Sequence, residues 1–554
     1  MTAPDSSSSD TNPLFELDLL NGRLAPLPAA FLRGKDRDLL EPLKFFDPAE
    51  GEAGLAAIPV ATAPDSRPAL AAALGEANRR YGHVRAAELA AKLADPQTAV
   101  VVSGQQPGLW GGPLLGMVKA LAASRYAAAL EAAGQPAVAV FWVASEDHDW
   151  AEVTRAFLPG RQGTVSIDLG ADPRPLQPLA ERQWGETVAE ADARALEVLG
   201  GGPTFDGWQR ELSARFTPEA GLAEAFCQLF ASMLGEHAPL LLDAALPALK
   251  EAEKPFLRRL IEERHQLDAA YAAAEARVEA RGYSLQVKPQ RGASPLFLVR
   301  GGERRRIEFP GKETWALRGV PGSEAPIAEL LAIADSDPAS LSPGVLARPA
   351  IQDAALGTTL QVMGPAELSY LVQAAAAHAL LGLSPATTLR PQALLLEDRQ
   401  AGWLDELGLP LAELLAQPVA AALTSRLGGN LVEPLRRELA EKFDLLRQPL
   451  LDLDGSLEAP WRKSREQLER TLEQLEQKVT ASAARRHEVQ LRRLEQLKAT
   501  ILPEDQLQER VIASGYFYAR YGAALAPSLF RGLDLGARRL SVIRLGGQTK
   551  ETTT

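Results

Sequence analysis

The chain has 554 residues, a formal net charge of −12 and 46% hydrophobic residues, so it is too long for one ordinary core. The acidic balance argues against a nucleic-acid partner, because phosphate neutralisation needs a basic face. The single cysteine, Cys227, excludes an internal disulfide and favours a reducing, cytoplasmic compartment. The opening stretch MTAPDSSSSDTNP lacks the features of a signal peptide and is predicted to be a disordered tail. No run of about 18 uncharged apolar residues appears, so we expect no membrane span.

A strand, a glycine-dense loop, a helix and a second strand begin the α/β part of the chain. Ala99–Ser103 reads AVVVS, a short β-branched run that predicts a strand. Apolar residues at helical spacing predict a helix over Pro113–Ala133, and Gly134 ends it. Ala137–Ser145 predicts a second buried strand. This βαβ order indicates a parallel, doubly wound sheet.

The rest of the α/β pattern is split by a helical insertion. Residues 161–282 are rich in Ala and Glu and are predicted to be mostly helical. The strands predicted beyond them are Tyr283–Pro289, Ser294–Arg300, Arg304–Phe309, the first part of Gly357–Leu380, Ala393–Gln400 and Ser541–Leu545. Within Gly357–Leu380, the strand is followed by a tight turn and a helix.

Two long helices follow the α/β part. Leu431–Gly455 and Trp461–Pro503 have helical patterns, and Asp454-Gly455 marks the turn between them. The second helix carries an apolar heptad at Leu468, Leu472, Leu475 and Val479. Because this spacing forms the seam of a coiled coil, we expect an antiparallel hairpin that also makes a homodimer. A long surface helix without a partner is the alternative.

The loop SGQQPGLWGG, Ser103–Gly112, is the first candidate site. Glycines let a ligand approach the backbone, and N–H groups at a helix start can hold an anion without charged side chains. The loop matches neither G-x-x-x-x-G-K-[ST] nor G-x-G-x-x-G. A tight turn with no ligand is the alternative. The candidate substrate-binding residues of this loop are Ser103, Gly104, Gln105, Gln106, Gly111 and Gly112.

The second candidate site is SEDHDW, directly after the second strand. Glu146, Asp147, His148 and Asp149 place three carboxylates and an imidazole together, which needs a cation, a donor or a raised pKa. We expect His148 to act as a general base, and Asp147 to orient it or a metal. Asp147-x-Asp149 can also hold Mg²⁺, and a solvated acidic turn with a helix cap is the alternative. Both segments leave parallel strands at the same edge, so they should share one cleft.

Several stretches resemble one known family. SGQQPGLWGGPLLGMVKA, VFWVASEDHDWAEV, LARPAIQDAALGTTLQVMGPAELSYL and PEDQLQERVIASGYFYARYG are similar to segments of the bacillithiol-biosynthesis cysteine-adding enzymes, a family of cysteine ligases. Met363 is a departure, because a second glycine is expected before Gly364-Pro365.

The resemblance implies a Rossmann-like core with helical connecting-peptide insertions and a long antiparallel α-helical coiled coil that mediates a dimer. It implies addition of L-cysteine to the amino group of glucosaminyl-malate, the last step to bacillithiol, and binding of an adenine nucleotide, ATP or ADP. The expected segments are 1–160, the first half of the core; 161–282, a helical insertion; 283–425, the second half; 426–515, the coiled-coil hairpin; and 516–554, a return to the core.

Further candidate residues for substrate binding, nucleotide binding and structure lie outside these motifs. Arg348 and Lys288 are candidates to pair substrate carboxylates. Gln352 and Asp353 either orient a substrate or cap a helix, with the cap favoured, and Gly364 is a candidate at the second turn. The candidate nucleotide-binding residues near the coiled coil are Arg390, Lys498, Gln508 and Arg510. Cys227 and His378 are predicted to be buried structural residues, and no Cys/His set suggests zinc.

Three function classes therefore remain. The ligase is favoured. The alternatives are a metal-dependent nucleotide-sugar transferase that uses Asp147-x-Asp149, and a non-catalytic coiled-coil interaction protein.

Overall fold

The computed structural model describes residues 14–16, 25–160, 163–201, 204–288, 292–427, 432–536 and 539–546. The chain divides into two compact units. The α/β unit comprises the described parts of 1–160, 164–395 and 506–545, and the helical unit comprises those of 161–163, 396–505 and 546–554. The predicted N-terminal tail, residues 1–13, lies outside the described residues.

The strands are numbered in chain order over the described residues. They are β1 Leu14–Glu16, β2 Lys44–Phe45, β3 Ala99–Gln105, β4 Ala137–Val143, β5 Arg155–Gly160, β6 Gly163–Asp168, β7 Leu240–Asp243, β8 Ala293–Arg300, β9 Glu303–Glu308, β10 Thr314–Leu317, β11 Ala325–Pro326, β12 Leu341–Pro343, β13 Thr358–Met363, β14 Ala386–Leu389, β15 Gln392–Glu397 and β16 Arg539–Leu545.

The α-helices are numbered in the same way. They are α1 Pro26–Leu32, α2 Gly51–Ala56, α3 Arg67–Arg80, α4 Ala86–Ala94, α5 Leu114–Ala132, α6 Trp150–Val153, α7 Thr187–Leu199, α8 Phe205–Arg215, α9 Leu222–Leu234, α10 Pro247–Glu262, α11 Arg264–Ala280, α12 Ile327–Ser336, α13 Arg348–Leu356, α14 Pro365–Leu381, α15 Asp398–Leu407, α16 Leu411–Ala416, α17 Val419–Leu427, α18 Val432–Leu453, α19 Glu458–Arg486, α20 Glu488–Ile501, α21 Gln508–Val511, α22 Ser514–Tyr521 and α23 Leu525–Gly532.

A parallel six-stranded sheet forms the centre of the α/β unit. Its strand order is β2-β14-β13-β3-β4-β7, and each neighbouring pair runs parallel. From β3 the chain proceeds through α5 to β4 on one side. From β13 it proceeds through α14 to β14 on the other side. The order therefore reverses between β3 and β13, which confirms the predicted doubly wound, Rossmann-like core.

Side-chain alternation along β3 explains why helices cover both faces of this sheet. Val100 and Val102 pack with Leu70 of α3, while Val101 packs with Tyr126 of α5 on the opposite face. Successive residues of a strand point to opposite faces, so a strand that is apolar at every position must be buried on both. The continuous apolar run of β3 meets that requirement.

Smaller sheets surround this core. The second sheet has the order β11-β10-β9-β8-β12, with antiparallel pairing throughout. β16 does return as a strand and pairs antiparallel with β1. The predicted strand at Tyr283–Pro289 is wrong over its described part, residues 283–288. That segment is irregular, and Gln373 bonds both the N–H (3.1 Å) and the carbonyl (2.9 Å) of Val287 in place of a neighbouring strand.

The helical unit contains the predicted antiparallel hairpin, formed by α18 and α19. Arg447 near the end of α18 pairs with Glu458 at the start of α19 (2.6 Å), and Arg436 pairs with Glu476 farther along α19 (2.5 Å). The long second helix is not continuous, because it breaks at His487 between α19 and α20. The predicted heptad, Leu468–Val479, lies within α19, before this break.

Within the described ranges, no helix combines the length and the apolarity that a membrane crossing needs.

Candidate active site

A cavity of about 540 Å³ lies at the carboxyl ends of the parallel strands, where the strand order reverses. This is the position at which open parallel sheets bind ligands. Its polar and charged lining residues are Gln105, Gln106, Lys119, Glu146, Asp147, His148, Glu152, Arg304, Arg306, Arg348, Glu367, Tyr370, Arg390 and Arg510. The predicted glutamine pair and most of the predicted acidic cluster therefore share one cavity.

The end of β3 fits tightly against β4. A Cβ atom added to Gly104 would lie 2.6 Å from the Trp142 carbonyl oxygen, so only glycine fits without displacement of the backbone. The Ser103 hydroxyl donates to the Val362 carbonyl (2.8 Å) and is not part of the cavity lining. Gly104 thus brings the backbone and the two glutamines to the cavity, while Ser103 links β3 to β13.

The loop does not form the predicted anion cradle at Gly111 and Gly112. The N–H of Gly111 donates to the Gly108 carbonyl (3.2 Å), and that of Gly112 donates to the Leu109 carbonyl (3.0 Å). The N–H of Leu114, the first residue of α5, donates to Ile512 (2.9 Å). Neither glycine lines the cavity. Their positive φ angles, 86° and 66°, show that they serve the turn itself.

The glutamine pair and the acidic cluster meet directly. The Gln106 amide donates to Asp147 Oδ2 (3.0 Å), which confirms that the two segments face each other across one cleft. Arg304 from β9 also contacts this carboxylate, with Nη1 3.2 Å from Asp147 Oδ1. Arg304 is buried, and its guanidinium lies 3.8 Å from the centroid of the Phe297 ring. Asp147 therefore accepts hydrogen bonds from a buried cation and from an amide.

His148 faces the same guanidinium. Arg304 Nη1 lies 3.2 Å from His148 Nδ1. Arginine can only donate, so Nδ1 accepts and the proton of the neutral ring is on Nε2. Burial and the positive charge of Arg304 lower the pKa of His148. In this arrangement the imidazole presents a donor, so the predicted role of general base is not supported.

The other two acidic residues of the cluster have separate structural partners. Glu146 forms an ion pair with the buried Lys250 of α10. Asp149 caps α6, where its Oδ1 accepts the N–H of Glu152 (3.1 Å). The two carboxylates of Asp147-x-Asp149 thus perform different tasks. Across the described part of the chain, no group of three or more His, Cys, Asp or Glu side chains is arranged to hold a metal ion.

An ion pair between the buried Lys119 and the half-buried Glu367 also lines the cavity. Lys119 of α5 lies 2.7 Å from Glu367 Oε2 and donates to Gln105 Oε1 (3.2 Å). Glu367 also accepts the N–H of Gly364 (2.7 Å). Lys119 and the neighbouring Arg348 lower the pKa of Glu367, although burial acts in the opposite direction. Gly364, the candidate predicted at the second turn, also lines the cavity.

Arg348 is held by neutral groups. Its Nη1 donates to Gln352 (3.0 Å) and its Nη2 donates to the Tyr370 hydroxyl (2.9 Å). Burial raises the pKa of Tyr370 to about 12, so this phenol keeps its proton. Arg510, from α21, also lines the cavity, and its side chain is exposed. Over the described residues, neither arginine has a carboxylate hydrogen-bond partner, so both can bind an anion.

Gln352 and Asp353 do not cap a helix, contrary to the favoured interpretation. Both are buried inside α13, and the Asp353 carboxylate accepts from His378 Nε2 (2.9 Å). His378 is fully buried, which confirms its predicted structural setting. Cys227 is also buried, and burial raises the pKa of its thiol. Lys288 lines a separate, smaller cavity of about 60 Å³.

The predicted nucleotide-binding residues have different partners. Arg390 is buried and bidentate to Glu509, with distances of 3.1 and 2.6 Å. The Gln508 side chain accepts the N–H of Leu395 (2.8 Å) and donates to the carbonyl of Leu395 (3.1 Å). Lys498 belongs to the helical unit, where it donates to the Gln417 carbonyl (2.5 Å). Arg390 and Gln508 therefore attach α21 to β15 and to the residues just before it. Within the part of the chain that the structure describes, Arg510 is the member of this set that lines the cavity with its guanidinium unpaired.

Several cavity residues were missed in the sequence because they lie far from the motifs. They are Lys119, Glu152, Arg304, Arg306, Glu367 and Tyr370. Lys119 did carry a signal, since it is the single charged residue in Leu114–Ala123, the apolar first part of α5. Arg304 carried none, because it belongs to an ordinary antiparallel strand.

A reversing parallel sheet with a charged cavity at its switch point, in a chain that also carries a helical hairpin, defines a Rossmann-like protein with a coiled-coil domain. Residues 49–390 match the family model described as "Bacillithiol biosynthesis BshC, N-terminal Rossmann-like domain". Residues 393–545 match the one described as "Bacillithiol biosynthesis BshC, C-terminal coiled-coil domain". The chain belongs to the bacillithiol biosynthesis BshC family.

Curated relatives agree with this assignment. A protein of Koribacter versatilis (strain Ellin345) named "Putative cysteine ligase BshC" is 30% identical over 480 residues, which cover 84% of this chain and 88% of the relative. A protein of Solibacter usitatus (strain Ellin6076) with the same name is 30% identical over 486 residues, with 85% and 88% covered. A third, from Chlorobaculum tepidum, is 28% identical over 491 residues, with 84% and 87% covered.

Proposed function

We propose that the protein adds L-cysteine to the amino group of glucosaminyl-malate and so forms bacillithiol. The family and the names of the relatives support a cysteine ligase. The observation that carries the substrate assignment is Arg348, a half-buried arginine in the cavity wall whose hydrogen-bond partners are neutral. Malate has two carboxylates, and a guanidinium binds a carboxylate bidentately.

The charges of the cavity fit a substrate with an anionic and a cationic end. Arg348 lies beside Tyr370, which provides a site for the malate carboxylates. Asp147 and Glu152 line another part of the wall and provide the negative charge that an amino-sugar ammonium requires. The neutral amides of Gln105 and Gln106 add donors and acceptors for sugar hydroxyls.

Amide formation from a free carboxylate and an amine needs an activated acyl group. We propose that a nucleoside triphosphate of adenine supplies that activation by converting the cysteine carboxylate to an acyl phosphate or adenylate. Arg510 is the residue we assign to a phosphate of the activated donor, because its exposed guanidinium lines the cavity. Arg390 and Gln508 stay with their internal partners. A thiol product fits a reducing compartment, so we propose a cytoplasmic reaction.

The test uses purified protein with glucosaminyl-malate, L-cysteine and ATP, and mass spectrometry detects bacillithiol together with AMP or ADP. Arg348→Gln should raise the KM for glucosaminyl-malate at least about tenfold, since one charged hydrogen bond contributes about 1.5–3 kcal/mol. Arg79→Gln is the matched control, because Arg79 is exposed and pairs with Glu76 on α3. Absence of product in the wild-type protein would refute the proposed reaction.

The two alternatives have less support. A metal-dependent transferase needs the two carboxylates of Asp147-x-Asp149 to converge, but Asp149 caps α6 and Asp147 contacts Arg304. A non-catalytic scaffold does not explain why four carboxylates and several arginines line one cavity at the switch point.

A further inference from the structure

Among the described residues, four carboxylates line the cavity, and three of them are paired with a cation. Glu146 pairs with Lys250, Asp147 with Arg304, and Glu367 with Lys119. Within the described residues, the Glu152 side chain lines the same cavity without a hydrogen bond or an ion pair. A carboxylate that is bound to a cation is a weak base, so Glu152 is the one available to accept a proton.

The imidazole that the sequence favoured is not available for this role. The Nδ1 lone pair of His148 accepts from Arg304 (3.2 Å), and its other ring nitrogen therefore carries the proton. His148 can donate to a substrate oxygen from that position. It can accept a substrate proton only after the contact with Arg304 is broken.

The short helix α6 fixes the backbone of Glu152. Asp149, at the start of this helix, accepts the Glu152 N–H (3.1 Å). Glu152 is exposed at its position, but the protein around it removes part of its hydration. The charged groups that face it are Asp149 and Asp147 on its own segment, Lys119 on α5 and Glu367 on α14.

These surroundings place the Glu152 titration near neutrality. Desolvation by the surrounding protein, followed by the charges of Asp149 and Asp147, raises the pKa of Glu152 to about 7, while Lys119 acts in the opposite direction. A general base is most effective when its pKa is close to the working pH. Glu152 therefore combines a position in the cavity wall and an unpaired carboxylate with a pKa that suits a general base.

We propose that Glu152 is the general base that removes a proton from the substrate ammonium. This inference rests on the proposed ligase function. The N–H bond of the ammonium breaks and its proton moves to a Glu152 carboxylate oxygen. The freed nitrogen lone pair forms the C–N bond with the carbonyl carbon of the activated cysteine. The bond from that carbon to the phosphate oxygen breaks, and the phosphate or nucleotide leaves with the electron pair. The second proton that the nitrogen loses on becoming an amide passes to an oxygen of this leaving group.

The experiment compares Glu152→Gln and Glu152→Asp with wild type across pH 5.5–9, with bacillithiol formation measured at saturating cysteine and ATP. Glu152→Gln keeps the shape but cannot accept the proton, so kcat should fall by about 10²- to 10⁴-fold while the KM for glucosaminyl-malate changes little. Glu152→Asp should retain more activity. Glu251→Gln is the matched control, because Glu251 is exposed on α10 outside the cavity.

The pH profile separates a base from a structural residue. Wild-type kcat should fall as the pH drops through about 7, because the Glu152 carboxylate becomes protonated. In Glu152→Gln this fall of kcat at low pH should be absent. Binding of glucosaminyl-malate, measured by calorimetry, should persist in Glu152→Gln. If Glu152→Gln keeps full kcat, or if its kcat still falls at low pH as in wild type, Glu152 is not the general base. The proposed ligase function would stand in either case. Wild-type protein that makes no bacillithiol would overturn the ligase function and this role together.

Discussion

Arg304 Nη1 lies 3.2 Å from Nδ1 of His148, although 156 positions separate the two residues in the chain. Arg304 is fixed by more than this contact, since its Nε donates to Ser342 (2.8 Å) and its Nη2 donates to the Pro343 carbonyl (3.2 Å). The antiparallel sheet therefore presents a rigid cation to the acidic cluster of the parallel sheet. This cation determines the tautomer of His148 and also pairs with Asp147.

Removal of this cation should raise the pKa of His148. In Arg304→Met the lowering effect of the guanidinium is lost, while Asp147 and Asp149 continue to raise the imidazole pKa. NMR titration of the histidine ring protons measures the change. Arg305→Met is the control, because Arg305 points to Glu303 and pairs with it at 2.6 Å. An imidazole pKa that stays at its wild-type value in Arg304→Met would contradict the assigned contact.

Gly104→Ala should destabilise the α/β unit. The new Cβ would lie 2.6 Å from the Trp142 carbonyl oxygen and 2.8 Å from its Cβ, and both belong to the adjacent strand β4. Overpacking of this kind costs about 1–3 kcal/mol of unfolding free energy, measured by urea denaturation. Gly402→Ala is the control, since Gly402 lies inside α15 with no atom within 4 Å of the added Cβ. The control should be neutral or stabilise by up to about 1 kcal/mol, and equal effects in both variants would refute the steric argument.

Lys119→Met should destabilise the protein in a pH-dependent way. The change leaves the mostly buried Glu367 without its 2.7 Å partner, which costs about 3 kcal/mol at pH 7. Lys119 depresses the pKa of Glu367, so its stabilising effect is present above the unfolded pKa of 4.5 and is lost as the pH falls through the folded value. The difference from wild type should therefore shrink below about pH 4.

Urea denaturation at pH 7 and at low pH measures this difference. Lys92→Met is the control, because the ion pair of Lys92 with Glu131 is partly exposed and contributes less than about 1 kcal/mol. A Lys119→Met deficit that stays constant over the pH range would show that packing, and not charge, causes it.

We propose that the helical hairpin mediates a homodimer through the outward face of α19. Leu472 is only 4% exposed and is packed within the chain, whereas Leu475 is 44% exposed. The two leucines of the heptad therefore have different roles. Leu475→Asp should give monomers by light scattering with unchanged helix content, and Leu472→Asp should reduce helix content in circular dichroism. A dimer mass that Leu475→Asp leaves intact would place the interface elsewhere.

The parallel core was predictable because its signals are local. The apolar run of β3, the glycine-dense loop and the helical spacing of α5 occupy consecutive residues, and the βαβ rule then fixes their direction. The meeting of Gln106 with Asp147 followed from that rule alone. The strand expected at Tyr283–Pro289 failed for the opposite reason. Its alternation is real, but a sequence pattern cannot show that the Gln373 amide, and not a strand, receives its backbone bonds.

The amino-acid sequence by itself determined the doubly wound core, the hairpin, the family and the edge of the sheet at which the site lies. Hydrophobic periodicity and glycine placement act over a few neighbouring residues, so they can be recognised in the sequence. The tertiary structure decided which polar groups are already engaged in hydrogen bonds or ion pairs. Whether His148 can accept a proton depends on Arg304 from a different sheet, and whether Glu152 is free depends on Lys119 and Lys250 being paired with other carboxylates. Ionisation and hydrogen bonding are set by the groups within a few ångströms in space, and the order of residues along the chain does not specify those neighbours.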